Sequence, residues 1–260
     1  INILAPPDLI SGLVAYPTTV NVGQNITIVM SVTNNGASTA LDVRPTQLFK
    51  SGTGATTPNN PLPVPEYADI APGASAHFTW VIQASAGGWV SWSAWARGYD
   101  INSGILYNSP LSGSNVVDIQ TPAQLVVSSF TIPSRVSRGQ QLTVTMTVTN
   151  NGQGTVTGAY PQPDPLYDLG SSVIMPASFP TPVDLSGGSA ATFTWIYTAI
   201  GTGTSNLQGY VRGTDVNSGL TITSNTRTTG NCVVVEPASL ASLIRVVPQS
   251  SYNGIDFAII

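Results

Sequence analysis

The stretch QLTVTMTVTNNG, Gln141 to Gly152, decides the fold class. Leu142, Val144, Met146 and Val148 alternate with Thr143, Thr145, Thr147 and Thr149. A period of two is the signature of a strand with one buried face. Asn150-Asn151-Gly152 then supplies a turn. The same reading applies to NITIVMSVTNNG, Asn25 to Gly36, where Ile26, Val29 and Met30 sit among Thr, Ser and Asn. Working outward, FTW at Phe193 restates FTW at Phe78, and RGTDVNSG (Arg212 to Gly219) restates RGYDINSG (Arg97 to Gly104). EPASL (Glu236 to Leu240) restates TPAQL (Thr121 to Leu125), and APPDL (Ala5 to Leu9) is a looser version. Leu9 to Leu125 is 116 residues and Leu125 to Leu240 is 115, so a third copy opens at Leu240.

Two copies divide 260 residues into domains of ordinary size. Hydrophobic residues make up 42%, enough for a core in each. Charged residues make up 8%, against about 25% in an ordinary soluble domain. A surface so poor in charge is covered by small polar side chains or by other protein, and association becomes easier. The net charge of -4 and scattered arginines give no basic stripe for nucleic acid. No apolar run approaches the roughly 18 residues of a membrane span. The start reads without a signal peptide, and Ile1 is expected to be a mature or trimmed start. Cys232 is the only cysteine, which excludes an intrachain disulfide. It aligns with Val117 and reads as a small buried hydrophobe.

No window has a helical period, and 20 prolines with 25 glycines argue against long helices. Each copy supplies about seven strand candidates, the pattern of a β-sandwich. In the first copy they lie near Leu9–Tyr16, Asn25–Thr33, Ala40–Leu48, Tyr67–Ile70, Ala76–Gln83, Trp89–Gly98 and Ser114–Gln120. The copies differ most between Thr46–Pro72 and Pro161–Ser186, both proline-rich. Variable loops are where function can diverge. The expected architecture is all-β: tandem sandwiches over residues 1–122 and 123–237, then a partial third repeat over 238–260.

TVTMTVTNNG, followed by SAATFTWIYTA and GTDVNSG, resembles the immunoglobulin-like repeats of prokaryotic secreted and cell-surface proteins, the CARDB (cell-adhesion-related) group among them. The resemblance covers nearly the whole chain, since it covers each copy. It implies a seven-stranded immunoglobulin-like sandwich, an extracellular or cell-surface location, and a role in stalks, adhesion or fibres. It implies no catalytic residues.

Among candidate sites, D-x-N-S-G at Asp100–Gly104 and Asp215–Gly219 resembles part of a calcium loop. No further carboxylate follows, so the expectation is a hairpin turn in which Asp and Asn bond their own backbone, without metal. His77 aligns with Thr192 and reads as an outward strand residue. It has no partners for zinc or for a catalytic triad. Alternation places Trp92 in the core, matching Leu207, and turns Trp89 and Trp95 outward. Those two rings have three candidate covers: the domain's own proline-rich loop, a neighbouring subunit, or a sugar. Asn25-Ile26-Thr27 at a strand edge makes Asn25 a candidate glycosylation site.

The third copy aligns without gaps as far as Ile260. An isolated strand with apolar side chains is unstable alone. Either the chain continues into a longer tandem array, or the segment adds a strand to the next subunit. The second route makes Leu243, Val246, Val247, Phe257, Ile259 and Ile260 inter-subunit contacts, with Trp89 and Trp95. A head-to-tail contact that does not close generates a filament. The expectation is a non-enzymatic structural subunit of an extracellular filament or surface fibre. Its partners are copies of itself and, in some settings, glycans, with no cofactor. The alternative is an adhesin or glycan-binding stalk segment of a larger surface protein.

Overall fold

The computed structural model describes residues 4–171, 173–244, 246–248 and 257–259. No helix occurs among them, and the fold is all-β. The first sandwich contains β1 (Leu9–Tyr16), β2 (Thr19–Asn21), β3 (Asn25–Asn34), β4 (Ala40–Pro45), β5 (Phe49–Gly52), β6 (Ala55–Thr57) and β7 (Ala68–Ile70). It continues with β8 (Ser75–Ala86), β9 (Gly88–Ala94), β10 (Ala96–Asp100), β11 (Leu106–Asn108), β12 (Ser112–Gly113) and β13 (Val117–Gln120). One layer has the order β1-β3-β8-β6. The opposing layer is made of β11-β10-β4-β7 and of β12-β9-β13-β2, with β5 added on β9.

The second sandwich contains β14 (Leu125–Thr131), β15 (Arg135–Ser137), β16 (Gln141–Asn150), β17 (Val156–Asp168), β18 (Ile174–Ser178) and β19 (Val183–Leu185). It ends with β20 (Ala190–Ala199), β21 (Gly203–Ser205), β22 (Leu207–Asp215), β23 (Thr221–Thr223), β24 (Arg227–Thr228) and β25 (Cys232–Val235). Its layers repeat the plan: β14-β16-β20-β18 against β19-β17-β22-β23 and β15-β25-β21. In both copies the first strand pairs antiparallel with the long strand, and a short following strand crosses to pair parallel with the last one. These are two tandem immunoglobulin-like sandwiches.

Period-two alternation places the cores. On β3, Ile26, Ile28, Met30 and Val32 are fully buried, and on β16 Leu142, Val144, Met146 and Val148 are buried. Phe78 and Trp80 pack in one core as Phe193 and Trp195 do in the other. The buried residues form two separate clusters, Leu9 to Ile119 and Ala123 to Val234. Each large side chain so buried stabilises the fold by about 1.5–3 kcal/mol.

The N-N-G turn has a second role that turn chemistry alone does not reveal. Asn34 and Asn150 are completely buried. The Asn34 carbonyl accepts from Asp8 N and Gly36 N, and its amide donates to Ser38 O and Ile70 O. Asn150 makes the same four bonds with Gln124, Gly152, Gly154 and Leu185. Every hydrogen-bonding position of the amide is used, and three chain segments are tied at one point. The following glycine is required by space: a Cβ on Gly36 would stand 2.1 Å from Pro6 O, and one on Gly152 would stand 2.0 Å from Pro122 O.

Four sequence expectations are corrected. Trp89–Gly98 is not one strand. It breaks at Trp95, so that β9 pairs with β13 while β10 pairs with β4. The third strand ends at Pro45 rather than Leu48, because Thr46 N bonds to Trp95 O as the chain turns away. The last strand starts at Val117 rather than Ser114, since Ser114 N is held by Trp92 O. The proline-rich stretches are not mere loops. The first forms β5 and β6, and the second extends β17 to Asp168 and adds β18.

Beyond the second sandwich, β26 (Val246–Pro248) and β27 (Phe257–Ile259) form an antiparallel hairpin of their own. Val246 opposes Ile259. The repeat offsets match these positions to Ala15 and Ile28, which oppose each other in the β1–β3 pair. The second sandwich instead pairs Thr131 with Thr145 beyond a bulge, so this register follows the first copy alone.

Candidate functional site

The repeated D-x-N-S-G sequence forms a turn in both copies, with Gly104 at φ 69° and Gly219 at φ 68°. The Asp side chains accept from the turn's backbone as expected, but Asn102 and Asn217 direct their amides out of the turn instead of to their own backbone. In the second copy it also forms the seam between the sandwiches. Asp215 Oδ1 accepts from Ser218 N at 2.9 Å and Ser218 Oγ at 3.0 Å, both local. It also accepts from Asn21 Nδ2 of the first sandwich at 2.8 Å, while Oδ2 accepts from Ala123 N at 2.8 Å. Asn217 donates to Asn21 Oδ1 at 2.8 Å and to Gln120 Oε1 at 2.9 Å, and its carbonyl accepts from Gln24 Nε2 at 3.0 Å. Asn21 and Asp215 are both buried. Burial works against the Asp215 charge. The bonds from Ala123, Ser218 and Asn21 outweigh it and hold the carboxyl below its ordinary pKa.

The same turn in the first copy is closed from within. Gly154 of the second sandwich corresponds to Ser38 of the first, and Ala123 corresponds to Pro7, which has no N–H. Ser38 Oγ donates to Asp100 and accepts from Asn102 Nδ2 at 2.8 Å. One hydroxyl therefore replaces both bonds that the Asn21 amide makes at the seam. Ser103 Oγ adds a bond of 2.6 Å. Hydrogen bonds from Ser103 and Ser38 hold Asp100 below its ordinary pKa. Gly154 has no such freedom, because a Cβ there would lie 2.9 Å from Asp215 Oδ2 and 3.3 Å from Asn21 Oδ1. An open cavity of about 410 Å³ at the pole of the first sandwich is lined by Leu4, Pro6, Asp100, Asn102, Ser103, Ile105 and Tyr107.

Trp92 is buried in the first core, as Leu207 is in the second. Of the two outward rings, Trp95 is covered by its own loop. It stacks on Phe49 of β5 with centroids 5.7 Å apart and planes 12° apart. Trp89 remains 45% exposed, with Gly52 of the same loop against it. The sequence missed β5, whose residues Phe49-Lys-Ser-Gly52 carry no alternation, so the stacking partner was not visible. His77 is exposed on β8, and Asn25 is exposed at the start of β3. Cys232 is fully buried on β25, and burial raises its pKa. No cluster of three or more His, Cys, Asp or Glu side chains forms among the described residues. No helix among them is long and apolar enough to cross a membrane.

After the second sandwich, Leu240 is 100% exposed, Leu243 89% and Ile244 72%. Leu240 corresponds to Leu9 and Leu125, which are buried in their own sandwiches. Ile260 lies outside the described residues. Val246, Val247, Phe257 and Ile259 are described only as the backbone of β26 and β27.

No protein-family model matches this chain, and comparison with curated proteins finds no match. Among solved structures, it is similar to the D0-D1 domain of intimin at 14% identity, covering 85% of this chain and 98% of that one, with a TM-score of 0.26. It is also similar to the C-terminal domain of the Streptococcus agalactiae AgI/II polypeptide BspA at 10% identity, covering 85% and 99%, with a TM-score of 0.33. A third similarity, to Salmonella alpha-2-macroglobulin reacted with methylamine, has 11% identity, covers 95% and 17%, and has a TM-score of 0.33.

Proposed function

We propose that this chain is a non-enzymatic structural subunit of an extracellular filament or surface fibre, assembled head to tail by strand addition from the C-terminal segment. The observation that carries this reading is the C-terminal hairpin, paired as β1 and β3 are and joined to a segment whose Leu240, Leu243 and Ile244 stand exposed. Leu240 corresponds to Leu9 and Leu125, which are core residues of their own sandwiches, while Leu243 and Ile244 are exposed apolar side chains at positions that neither sandwich buries. Covering each contributes about 1.5–3 kcal/mol, and a sheet of a neighbouring subunit supplies main-chain hydrogen bonds as well. The low charge of the surface favours such association. His77, the only histidine, stands exposed on a strand, which favours a non-enzymatic role.

The test is deletion of Ser239–Ile260. Both sandwiches are expected to stay folded, with unchanged thermal unfolding, while filaments disappear from electron micrographs. Normal filaments from the truncated protein would overturn the reading. The second reading is a segment of a longer adhesin or stalk, favoured by the same hairpin register, which equally begins a covalently continuous third sandwich. In that case a chain extended by a complete third repeat stays monomeric, with Leu240 buried in its own core.

A further inference from the structure

The first sandwich carries an arrangement that the second lacks. Arg44 on β4 lies directly opposite Arg97 on β10 across an antiparallel pair, and both side chains point outward. Like charges in directly opposed positions destabilise a sheet. The chain has only eight basic residues, and two of them meet here. Arg44 is paired with Asp42 and lies 5.5 Å over the ring of Tyr67. Arg97 has no carboxylate partner among the described residues. Together with Asp42, Arg44 and Tyr99 it lines a cavity of about 130 Å³.

A second observation comes from the backbone. The β4–β10 ladder bulges between Arg44 and Leu41, and Asp42 takes up the extra residue at φ 51°. It is the only non-glycine residue with positive φ among those described. The second sandwich has the same bulge but uses Gly158 at φ 61°. Glycine is the undemanding residue at such a position. Retention of an aspartate there is backbone strain located beside an uncommitted arginine, the kind of outlier that marks a binding site. The equivalents of Arg44 and Tyr99 in the second copy are Tyr160 and Thr214, so only one arginine, Arg212, faces that cavity.

We propose that this face of the first sandwich binds an acidic sugar, a uronate unit of a polysaccharide, with its carboxylate on Arg97. The guanidinium fork matches a planar carboxylate. Asp42, fixed by the bulge, offers oxygen to sugar hydroxyls. Tyr99, exposed at the edge of this cavity, presents its ring to the sugar's C–H surface. Asp42 within the site, and Asp69, whose carboxylate accepts from Asp42 N at 2.8 Å, disfavour a ligand carrying charge at every position. This places a hydroxyl-rich uronate ahead of an acidic peptide. The inference does not depend on how the chain assembles.

The test titrates the full chain, by calorimetry at low salt, with a tetrasaccharide of three glucose units and one glucuronate. Binding is expected, weakening with added salt. Arg97→Gln should lose about tenfold or more in affinity, and Arg212→Gln should leave it unchanged. Asp42→Gly should bind more weakly while unfolding at the same or a higher temperature, since glycine accepts the bulge conformation. The proposal is overturned by absence of heat with the tetrasaccharide, or by equal effects of the Arg97 and Arg212 substitutions. Equal binding of a neutral glucose tetrasaccharide, or tighter binding of a glutamate-rich peptide, overturns it as well.

Discussion

Asn21 Nδ2 of the first sandwich lies 2.8 Å from Asp215 Oδ1 of the second, and both residues are buried. A hydrogen bond to a buried carboxylate contributes about 1.5–3 kcal/mol. Asn21→Ala should therefore weaken the joint by about 2 kcal/mol. Small-angle scattering should show a broader range of end-to-end distances, with each sandwich still folded. An unchanged scattering profile would show that the linker, rather than the seam, sets the domain arrangement.

Positions 38 and 154 should respond oppositely to exchange of their residues. Gly154→Ser puts a Cβ 2.9 Å from Asp215 Oδ2. It should separate the sandwiches and lower stability by about 1–3 kcal/mol. Ser38→Gly removes one hydroxyl from Asp100 and should destabilise the first sandwich alone, leaving the seam intact. Proteolysis of the Thr121–Gln124 linker distinguishes them: Gly154→Ser should speed cleavage and Ser38→Gly should not.

Both repeated aspartates are held below their ordinary pKa. A carboxyl with a depressed pKa in the folded state contributes stability that is present above its unfolded value, about 4. That stability is lost as pH falls through the folded value. The unfolding temperature should therefore be flat near neutrality and fall below about pH 4. Asp215→Asn should flatten the acid limb. An acid limb unchanged in both Asp100→Asn and Asp215→Asn would assign acid sensitivity to other groups.

Tyr197 is buried, and its hydroxyl has no hydrogen-bond partner among the described residues. Burial, with the nearby Asp168 and Asp164 charges, raises its pKa. An unpartnered buried hydroxyl costs about 1–3 kcal/mol. Tyr197→Phe should be neutral or stabilising by about 1 kcal/mol in denaturant unfolding. A clear loss of stability would mean that the hydroxyl has a partner in solution, such as an ordered water.

The sequence alone determined what depends on neighbours along the chain. Alternation on Gln141–Thr149 set which side chains enter the core, because successive residues of a strand face opposite sides. On Asn25–Thr33 the apolar run Ile28-Val29-Met30 hid the phase, and the structure buries Ile28 and Val32 while leaving Val29 partly exposed. Internal alignment placed Cys232 with buried Val117 and put Trp92 in the core with Leu207. D-x-N-S-G was legible as a turn because its hydrogen bonds close within three residues. What only the tertiary structure decided involves partners far apart in sequence. Asp215 meets Asn21 across 194 positions, and Asn34 ties Ile70 across 36. Phe49 covers Trp95 through a strand with no alternation to announce it, and a bulge at Asp42 brings Arg44 opposite Arg97. A local pattern selects a face of the sheet. Strand register and the packing of one sandwich on the next select which side chains meet there.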